Sequence, residues 1–415
     1  MIKNIVILGA GFGGISATKH LIGKTPDNFK IILVDKNPYH IFQSSLYEIA
    51  TASLGKRYPR RIDFKNLYTT AILDIKKIFK ANKYFDFVQA TVNDINLKER
   101  KIILENKNTL DFDYLVFALG SETNFFGIPG AEEMALPLKN INDALNIRNA
   151  VQEVFERKQS TQRIIIIIGG GGFTGCEFAS ELVFYLRKLS TELGHVKERV
   201  EVKVIEAADT ILPGAADWVK KAALKRMKKI GIEFFFGKQI SGIKDSTILL
   251  KTGEKLYCDV FIWTAGIKAN SLVERINGIK LEKGCRILSD DCLRIVPYRN
   301  IFGVGDNLYC FDSVLQTPMP ATAWMAIKQG KIVAKNILND IYGKKAIKCK
   351  SMMPRLVIPL GGKWGIVDAG PLKLKGFLGW LTKEVIILKY YVSVLPFLYA
   401  LILWLKGIKI YIRND

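Results

Sequence analysis

Apolar runs that end in glycine-rich turns recur along this chain of 415 residues. Residues 5–8 are apolar and lead directly into Gly9-Ala10-Gly11-Phe12-Gly13-Gly14, and the following residues predict a helix over 15–22. A second apolar run, residues 31–34, ends on Asp35. Strand, tight turn, helix and strand in this order are typical of a dinucleotide-binding unit.

Each residue of this pattern has a physical task. Gly9 permits the turn, Gly11 lets the backbone approach a pyrophosphate, and Gly14 allows the helix to pack closely on the strand. The helix N-terminus offers unpaired N–H groups to phosphate oxygens. Asp35 lies 21 residues after Gly14, where a carboxylate accepts hydrogen bonds from a ribose diol. A glycine turn without a ligand is the alternative interpretation.

The same pattern returns near the middle of the chain. Five isoleucines at 164–168 predict a buried parallel strand, followed by Gly170-Gly171-Gly172-Phe173-Thr174-Gly175 and a helix from 176 to about 186. The strand at 200–205 ends on Glu206, later than usual because residues 187–199 intervene. An acid at this position favours NADH over NADPH, since it would repel a 2′-phosphate. A solvent-exposed acid without a ligand is the alternative.

Two such units in one chain predict an α/β fold with two Rossmann-like domains, one for a fixed cofactor and one for a diffusible nucleotide. Segments 113–121 and 260–266 can serve as crossovers, and Gly305-Asp306 closes a further short strand. The expected organisation is a discontinuous first domain at 1–125 and 265–345, a second domain inserted at 126–264, and a C-terminal region at 346–415.

Composition narrows the function classes only slightly. With 61 Lys and Arg against 39 Asp and Glu, the chain carries a net charge of +22, which suits an anionic membrane or a nucleic acid. It contains no zinc-finger spacing and no arginine-rich arm, so we expect no nucleic acid partner. Three scattered histidines and six cysteines without a CxxC pair predict neither a metal site nor a disulfide relay. The first residues fit no signal peptide, so we expect a cytoplasmic body.

At this point the motifs resemble those of type II NADH dehydrogenases, the single-subunit, non-proton-pumping NADH:quinone oxidoreductases. The most specific part is Asn-Pro-Tyr-His-Ile-Phe-Gln at 37–43 with Leu-Tyr-Glu-Ile-Ala at 46–50, which in the family lies along the flavin ring. Thr-Asn-Phe-Phe-Gly-Ile-Pro-Gly at 123–130 and Glu177 after the second glycine turn are almost as specific. The resemblance implies FAD and NAD(H) as cofactors and a membrane quinone as acceptor.

The resemblance also implies which residues form the sites. Glu177 and Lys383 are the expected catalytic residues: a carboxylate near the flavin and nicotinamide could relay a proton, and a lysine of the tail reaches back toward it. A favourable charge at a helix N-terminus is the alternative role for Glu177. The expected FAD residues are Gly9, Gly11, Phe12, Gly13, Gly14, Asp35, Lys36, His40, Gln43, Ala118, Gly120, Gly305, Asp306 and Ala323. The expected NADH residues are Gly170, Gly172, Gly175, Glu206, Ala265 and Gly266.

The quinone-facing helix departs from the family. Its usual Ala-Gln-x-Ala-x-Gln pattern is replaced by Ala-Trp-Met-Ala-Ile-Lys at 323–328, so Trp324 and Lys328 stand where glutamines are expected. Trp324 could stack on a quinone and Lys328 could stabilise a quinol anion. We expect these two residues with Gln43 and Tyr47 to form the quinone site, although a different acceptor is an open alternative.

Two other functions compete with this one. Sulfide:quinone oxidoreductases share the fold but need two redox-active cysteines, and the segment at 354–360 that would carry one contains none. Cys176 and Cys349 keep this alternative open. The second alternative is a non-catalytic, NADH-responsive flavoprotein docked at the membrane.

The last residues differ in character from the rest. Residues 390–405 carry no charge, contain Pro396, and are flanked by lysines and aromatic residues. The stretch is shorter than the roughly 20 residues needed to span a bilayer, so we expect an interfacial helix pair that binds the cytoplasmic side of the cell membrane peripherally. A homodimer contact or a single span are the alternatives for this tail.

Overall fold

The computed structural model describes residues 2–53, 70–80, 82–312, 316–351 and 356–414. The chain divides into two compact units. The first unit comprises residues 1–41, 72–122 and 267–352, and the second comprises 42–71, 123–266 and 353–415. Residues from 353 onward, for which we expected a separate C-terminal region, thus group with the second unit. The domain boundaries expected from the sequence stay predictions.

The first unit is built on a five-stranded parallel sheet whose inner strands are mostly buried. In spatial order the strands are Ile301–Gly303, Tyr114–Phe117, Lys3–Leu8, Phe29–Asp35 and Phe85–Gln89. The first glycine loop (residues 9–14) joins the central strand to helix Phe12–Leu21. This helix packs on helix Ala323–Ile341 so closely that a Cβ atom on Gly330 would lie 2.3 Å from the Gly13 carbonyl oxygen. Two glycines therefore bring these backbones together.

Shorter elements complete the first unit. Its remaining strands are Tyr39–Ile41, Ile72–Asp74, Val92–Asn96, Lys101–Leu104, Thr109–Asp111, Ser121–Thr123, Ile267–Ala269, Leu281–Glu282, Arg286–Leu288, Leu308–Tyr309, Phe311–Asp312 and Thr317–Pro318. Its remaining helical segments are Ile75–Ile78, Ser271–Arg275 and Gly305–Asn307.

The second unit repeats the parallel sheet with five strands of its own. In spatial order these are Leu136–Pro137, Val260–Trp263, Ile164–Gly169, Val200–Ile205 and Ile232–Phe235. The second glycine loop (residues 170–175) leads into helix Phe173–Leu193. The prediction that this helix ends near residue 186 is wrong: it continues to Leu193 and stops at Gly194, whose φ of +74° breaks the helical pattern.

The other elements of the second unit surround this sheet. Its strands are Ile240–Lys244, Thr247–Leu250, Lys255–Tyr257, Leu356–Pro359, Gly365–Ala369 and Leu372–Gly376. Its helical segments are Gln43–Ser45, Leu46–Ala50, Ala131–Met134, Ile141–Arg157, Lys197–Arg199, Asp217–Lys229, Phe377–Val394, Phe397–Tyr411 and Ile412–Asn414.

Helices Phe377–Val394 and Phe397–Tyr411, which we call the tail helices, meet at Pro396. One side of them is buried in the second unit, where the Tyr391 hydroxyl donates to the carbonyl of Thr70 (2.7 Å). Just after the second tail helix, the Asn414 amide donates to the carbonyl of Thr51 (2.7 Å). The other side exposes large apolar residues, including Leu398 at 71% and Ile402 at 64%. Among the residues that the structure describes, no helix combines the length and apolar character that a membrane span requires.

Candidate functional site

The first glycine loop has the geometry of a phosphate cradle. A Cβ atom on Gly14 would lie 1.9 Å from the Gly9 carbonyl oxygen, so only glycine permits this approach of helix and strand. At Gly11, the N-terminal cap of the helix, a Cβ atom would meet no atom within 4 Å. The space in front of Gly11 and the unpaired N–H groups behind it fit the pyrophosphate of a dinucleotide.

Asp35 is bound to this loop. Its Oδ2 accepts a hydrogen bond from the Ala10 N–H (2.7 Å), and its Oδ1 accepts one from Asn37 (2.8 Å). Burial raises the pKa of the carboxyl, although these backbone donors act in the opposite direction. The acid therefore holds the loop and lies at the strand end, where ribose hydroxyls are bound in dinucleotide folds.

The other expected FAD residues of the first unit gather on the same segments. Buried His40 contacts the Ala10 carbonyl through Nδ1 (2.8 Å) and stands edge-on to Phe12; burial lowers its pKa to about 4 and keeps it neutral. Asp306 accepts a hydrogen bond from the Ser121 hydroxyl (2.7 Å). The residues that follow the sheet strands, or that begin helix Ala323–Ile341, are Lys36, Ala118, Gly120, Gly305 and Ala323. Gln43 lies in the second unit, exposed, at the start of a short 3₁₀ helix.

The second glycine loop repeats this geometry. A Cβ atom on Gly175 would lie 2.0 Å from the Gly170 carbonyl oxygen, whereas one on Gly172 would meet no atom within 4 Å. Glu206 accepts hydrogen bonds from Gly171 N–H (2.6 Å) and Ala208 N–H (2.8 Å). The strand-end acid thus binds the middle of its glycine loop, as Asp35 does in the first unit.

Ala265 and Gly266 close the second site. Ala265 packs against Gly170, where a Cβ atom would lie 2.9 Å from it. Gly266, with φ +89°, lies against the ring of Phe126, which is 61% exposed and has φ +54°. Asn124 accepts from the Phe126 N–H (2.8 Å) and, through its carbonyl, from the Trp263 indole (2.9 Å). The segment at 124–126 is therefore fixed to the end of strand Val260–Trp263.

A buried carboxylate cluster lies elsewhere in the second unit. The Lys383 ammonium donates to Glu48 and lies 3.0 Å from Glu384 Oε1. Glu48, Lys383 and Glu384 are all nearly removed from solvent. Burial alone would lower the pKa of Lys383, but the two carboxylates raise it well above its usual value. Lys383 therefore stays charged between two acids.

Glu177 lies half-buried on the first turns of helix Phe173–Leu193. Removal from water raises the pKa of its carboxyl to about 8; nearby Lys383 lowers this pKa and Glu48 raises it. A carboxyl that holds its proton near neutral pH can donate it and take it back, as general acid–base catalysis requires.

The four expected quinone residues lie in both units. Gln43 and Tyr47, in the second unit, lie on adjacent short helices, Gln43 exposed and Tyr47 buried. Trp324 and Lys328, in the first unit, lie about one turn apart on helix Ala323–Ile341. The Trp324 side chain is 51% exposed, and the Lys328 ammonium donates to the carbonyl of Lys350 (2.5 Å).

A family model described as pyridine nucleotide-disulphide oxidoreductase matches residues 3–330, more than half of the chain. The chain belongs to this family. Curated relatives include the type II NADH:quinone oxidoreductase of Staphylococcus saprophyticus, 27% identical over 92% of this chain and 94% of its own length. The Staphylococcus aureus protein of the same name is 29% identical over 88% and 89%. The resemblance inferred from the motifs is thereby confirmed.

Solved structures confirm the predicted fold. The NDH2 of Plasmodium falciparum, solved in complex with NADH, has a TM-score of 0.83 at 17% identity and covers 99% of this chain and 98% of its own. The sulfide:quinone oxidoreductase of Aquifex aeolicus has a TM-score of 0.76 at 19% identity, with 94% and 91% covered. At these identities the likeness concerns the fold alone, so it does not separate the two chemistries.

Sequence reasoning missed several residues that support these sites. Glu48 and Glu384, the ion-pair partners of Lys383, were not assigned roles, although a glutamate inside an apolar helix signals a buried partner. Asn307 is fully buried and accepts from the Gly120 N–H (3.0 Å), and Gln329 accepts from the Gly305 N–H (2.8 Å). Both amides fix glycines of the expected FAD site, and neither has a motif signature.

Proposed function

We propose that this chain is a type II NADH:quinone oxidoreductase, which oxidises NADH through bound FAD and passes two electrons to a membrane quinone without pumping protons. The observation that carries the proposal is the pair of equivalent glycine loops, each bound by its strand-end acid. The staphylococcal relatives, which are named for this reaction and align with most of the chain, support NADH and quinone as the substrates.

Each unit has a defined part in this proposal. The first glycine loop, Asp35 and Asp306 bind FAD: N–H groups at the helix N-terminus face the pyrophosphate, and carboxylates accept from sugar hydroxyls. Bound FAD supplies the two-electron chemistry that links nicotinamide to quinone. The second glycine loop binds NADH, where Glu206 accepts from the ribose and disfavours a 2′-phosphate.

The catalytic roles belong to Glu177 and Lys383. Glu177 holds a proton below about pH 8, so it can supply the proton that quinone reduction consumes and recover it from water. Lys383 places a positive charge near this carboxyl, which limits the cost of ionising it. Gln43, Tyr47, Trp324 and Lys328 are proposed to contact the quinone, with the exposed Trp324 ring available for stacking.

The visible spectrum of the purified protein tests the reaction directly. Anaerobic NADH should bleach the flavin absorbance, and a soluble quinone should restore it. Bleaching without recovery by quinone would contradict the assigned acceptor. An unchanged spectrum with NADH would contradict the proposed function altogether and favour the non-catalytic alternative.

Sulfide:quinone oxidoreductase is the second candidate, because the Aquifex aeolicus structure has nearly the same fold. That chemistry needs reactive thiolates. Burial raises the pKa of all six thiols, including Cys349 to about 11, so they are poor nucleophiles at neutral pH. Bleaching by sulfide in the absence of NADH would decide for this candidate.

We further propose that the tail helices hold the protein on the cytoplasmic side of the membrane. Their exposed apolar residues suit the interface between headgroups and acyl chains. Leu398→Lys with Ile402→Lys should release the protein from vesicles, because both side chains point away from the second unit. Leu193→Lys, at an exposed apolar residue outside the tail, is the control. Unchanged vesicle binding would favour a homodimer contact instead, which the oligomeric state of the same variant would reveal.

A further inference from the structure

Lys383 is shared between two carboxylates that the proposed mechanism does not use. Its ammonium lies 3.0 Å from Glu384 Oε1 and is also hydrogen-bonded to Glu48. The side chains of Glu48, Lys383 and Glu384 are 4%, 11% and 7% exposed. Two acids around one base leave a net charge of −1 when all three are ionised. Buried charges interact strongly because little water screens them, so this arrangement affects any further charge nearby.

Glu177 is the next carboxyl affected by this cluster. Its helix, Phe173–Leu193, packs on helix Leu46–Ala50, which carries Glu48. Lys383 lowers the pKa of the Glu177 carboxyl, and Glu48 raises it. Among the described residues, no ion pair within 4 Å joins Lys383 to Glu177, because the ammonium is bound to the other two acids. Ionising Glu177 would therefore add a second net negative charge to the cluster.

One oxygen of this cluster has no partner. Glu48 Oε2 is buried and makes no hydrogen bond, whereas the backbone of Glu384 is fixed because its carbonyl accepts from the Trp404 indole (2.9 Å). The cluster joins helix Leu46–Ala50, which carries Glu48, to helix Phe377–Val394, which carries the other two residues. The ionisable side chains that face Glu177 or its partners are Tyr47, Glu48, Cys176, Glu181, Lys383, Glu384, Tyr391 and Tyr411. Lys383 is the single cation in this set.

We propose that Glu384 is a positioning residue for Glu177: by sharing the Lys383 ammonium with Glu48, it holds this positive charge on two other acids rather than on the Glu177 carboxyl. Glu177 therefore ionises less readily. The inference rests on the proposed function only in the role given to Glu177. The charge arrangement itself needs neither NADH nor quinone.

Infrared spectroscopy of the FAD-loaded protein tests this without turnover. The carbonyl band of a protonated Glu177 is identified as the band that Glu177→Gln removes, and its loss is followed as the pH rises. In Glu384→Gln the midpoint of this loss should fall by roughly one pH unit, because one of the two acids that neutralise Lys383 is gone and its positive charge acts more strongly on the Glu177 carboxylate. Glu48→Gln should shift the midpoint in the same direction.

Three matched variants separate this role from a structural one. Glu384→Asp keeps the charge and should restore the wild-type midpoint, and Glu153→Gln removes an exposed carboxylate of the same unit and should leave it unchanged. In a Lys383→Gln background, Glu384→Gln should no longer move the midpoint, since the shared lysine is gone. An unchanged midpoint in both Glu384→Gln and Glu48→Gln, or a shift that persists without Lys383, would overturn the proposal.

Discussion

The two glycine loops of this chain are alike in detail but continue into different surroundings. Gly9 and Gly170 both have φ +107°, and in each loop the strand-end acid accepts a hydrogen bond from the N–H of the second loop residue. Helix Phe12–Leu21, after the first loop, packs backbone to backbone on helix Ala323–Ile341 through Gly13 and Gly330. At the position of Gly13 the second loop has the exposed residue Thr174.

The helix after the second loop has a different task. It is 21 residues long, against 10 for the first, and it carries Glu177 next to a buried cluster of acids and one lysine. One binding motif can therefore serve two roles, which depend on what its helix contacts. A helix packed on another backbone suits a cofactor that stays bound, whereas a helix that carries ionisable groups suits a nucleotide that reacts and leaves.

The largest expected effect comes from placing the same methyl group in both loops. Gly11→Ala and Gly172→Ala add a Cβ atom that touches no protein atom within 4 Å, so both variants should fold. The methyl group would block the close approach of a pyrophosphate. Gly11→Ala should weaken FAD binding roughly 10- to 100-fold, and Gly172→Ala should keep FAD and raise the KM for NADH by a similar factor.

Flavin content after gel filtration and NADH titration of the flavin absorbance measure these two effects. Gly242→Ala, where the added Cβ meets only ordinary contacts, is the control for folding. If Gly11→Ala keeps FAD but loses NADH binding, the roles of the two loops are exchanged.

A smaller effect concerns the two strand-end acids. Both carboxylate oxygens of Glu206 accept from backbone N–H groups, so Glu206→Gln removes one of these bonds and the charge that opposes a 2′-phosphate. We expect the wild-type protein to use NADH with a kcat/KM roughly 100-fold above that for NADPH, and Glu206→Gln to reduce this ratio to about 10. Asp35→Asn should leave the ratio unchanged. Equal kcat/KM values for both nucleotides in the wild type would contradict the assignment of Glu206.

Much of this fold follows from local pattern. Strand Val200–Ile205 was predicted over the same residues, because β-branched residues alternate there and an acid ends the run. Helix Phe173–Leu193 extends past its predicted end at about residue 186, and Leu189 and Ser190 are buried on its packed face. Tertiary packing carries the helix past residue 186, and the glycine at its C-terminal cap, Gly194, ends it.

The carboxylate cluster could not be predicted in the same way. Glu48 and Lys383 are 335 positions apart in sequence, and no periodicity links residues at such a separation. In the sequence, the tail is an apolar stretch flanked by lysines, and this pattern alone predicts an exposed apolar surface. Its buried side, where Tyr391 and Asn414 bind Thr70 and Thr51, depends on the folded second unit.

The smallest effect is expected from the thiol in the second loop helix. Cys176 follows the last glycine of its loop, as Ile15 does in the first, and both side chains are buried. The Cys176 thiol donates to the Gly171 carbonyl (3.3 Å), a bond that a serine hydroxyl can replace. Burial raises the pKa of both Cys176 and Cys349, so neither supplies a thiolate at neutral pH. Replacing both with serine should therefore change the rate of NADH:quinone turnover by less than about three-fold, because hydride transfer through a flavin needs no thiol. Stopped-flow reduction of the flavin by NADH measures the step nearest to Cys176. A folded, FAD-loaded double variant that NADH no longer reduces would contradict this prediction. Cys176 would then take part in the reaction and not only pack in the core, as Ile15 does.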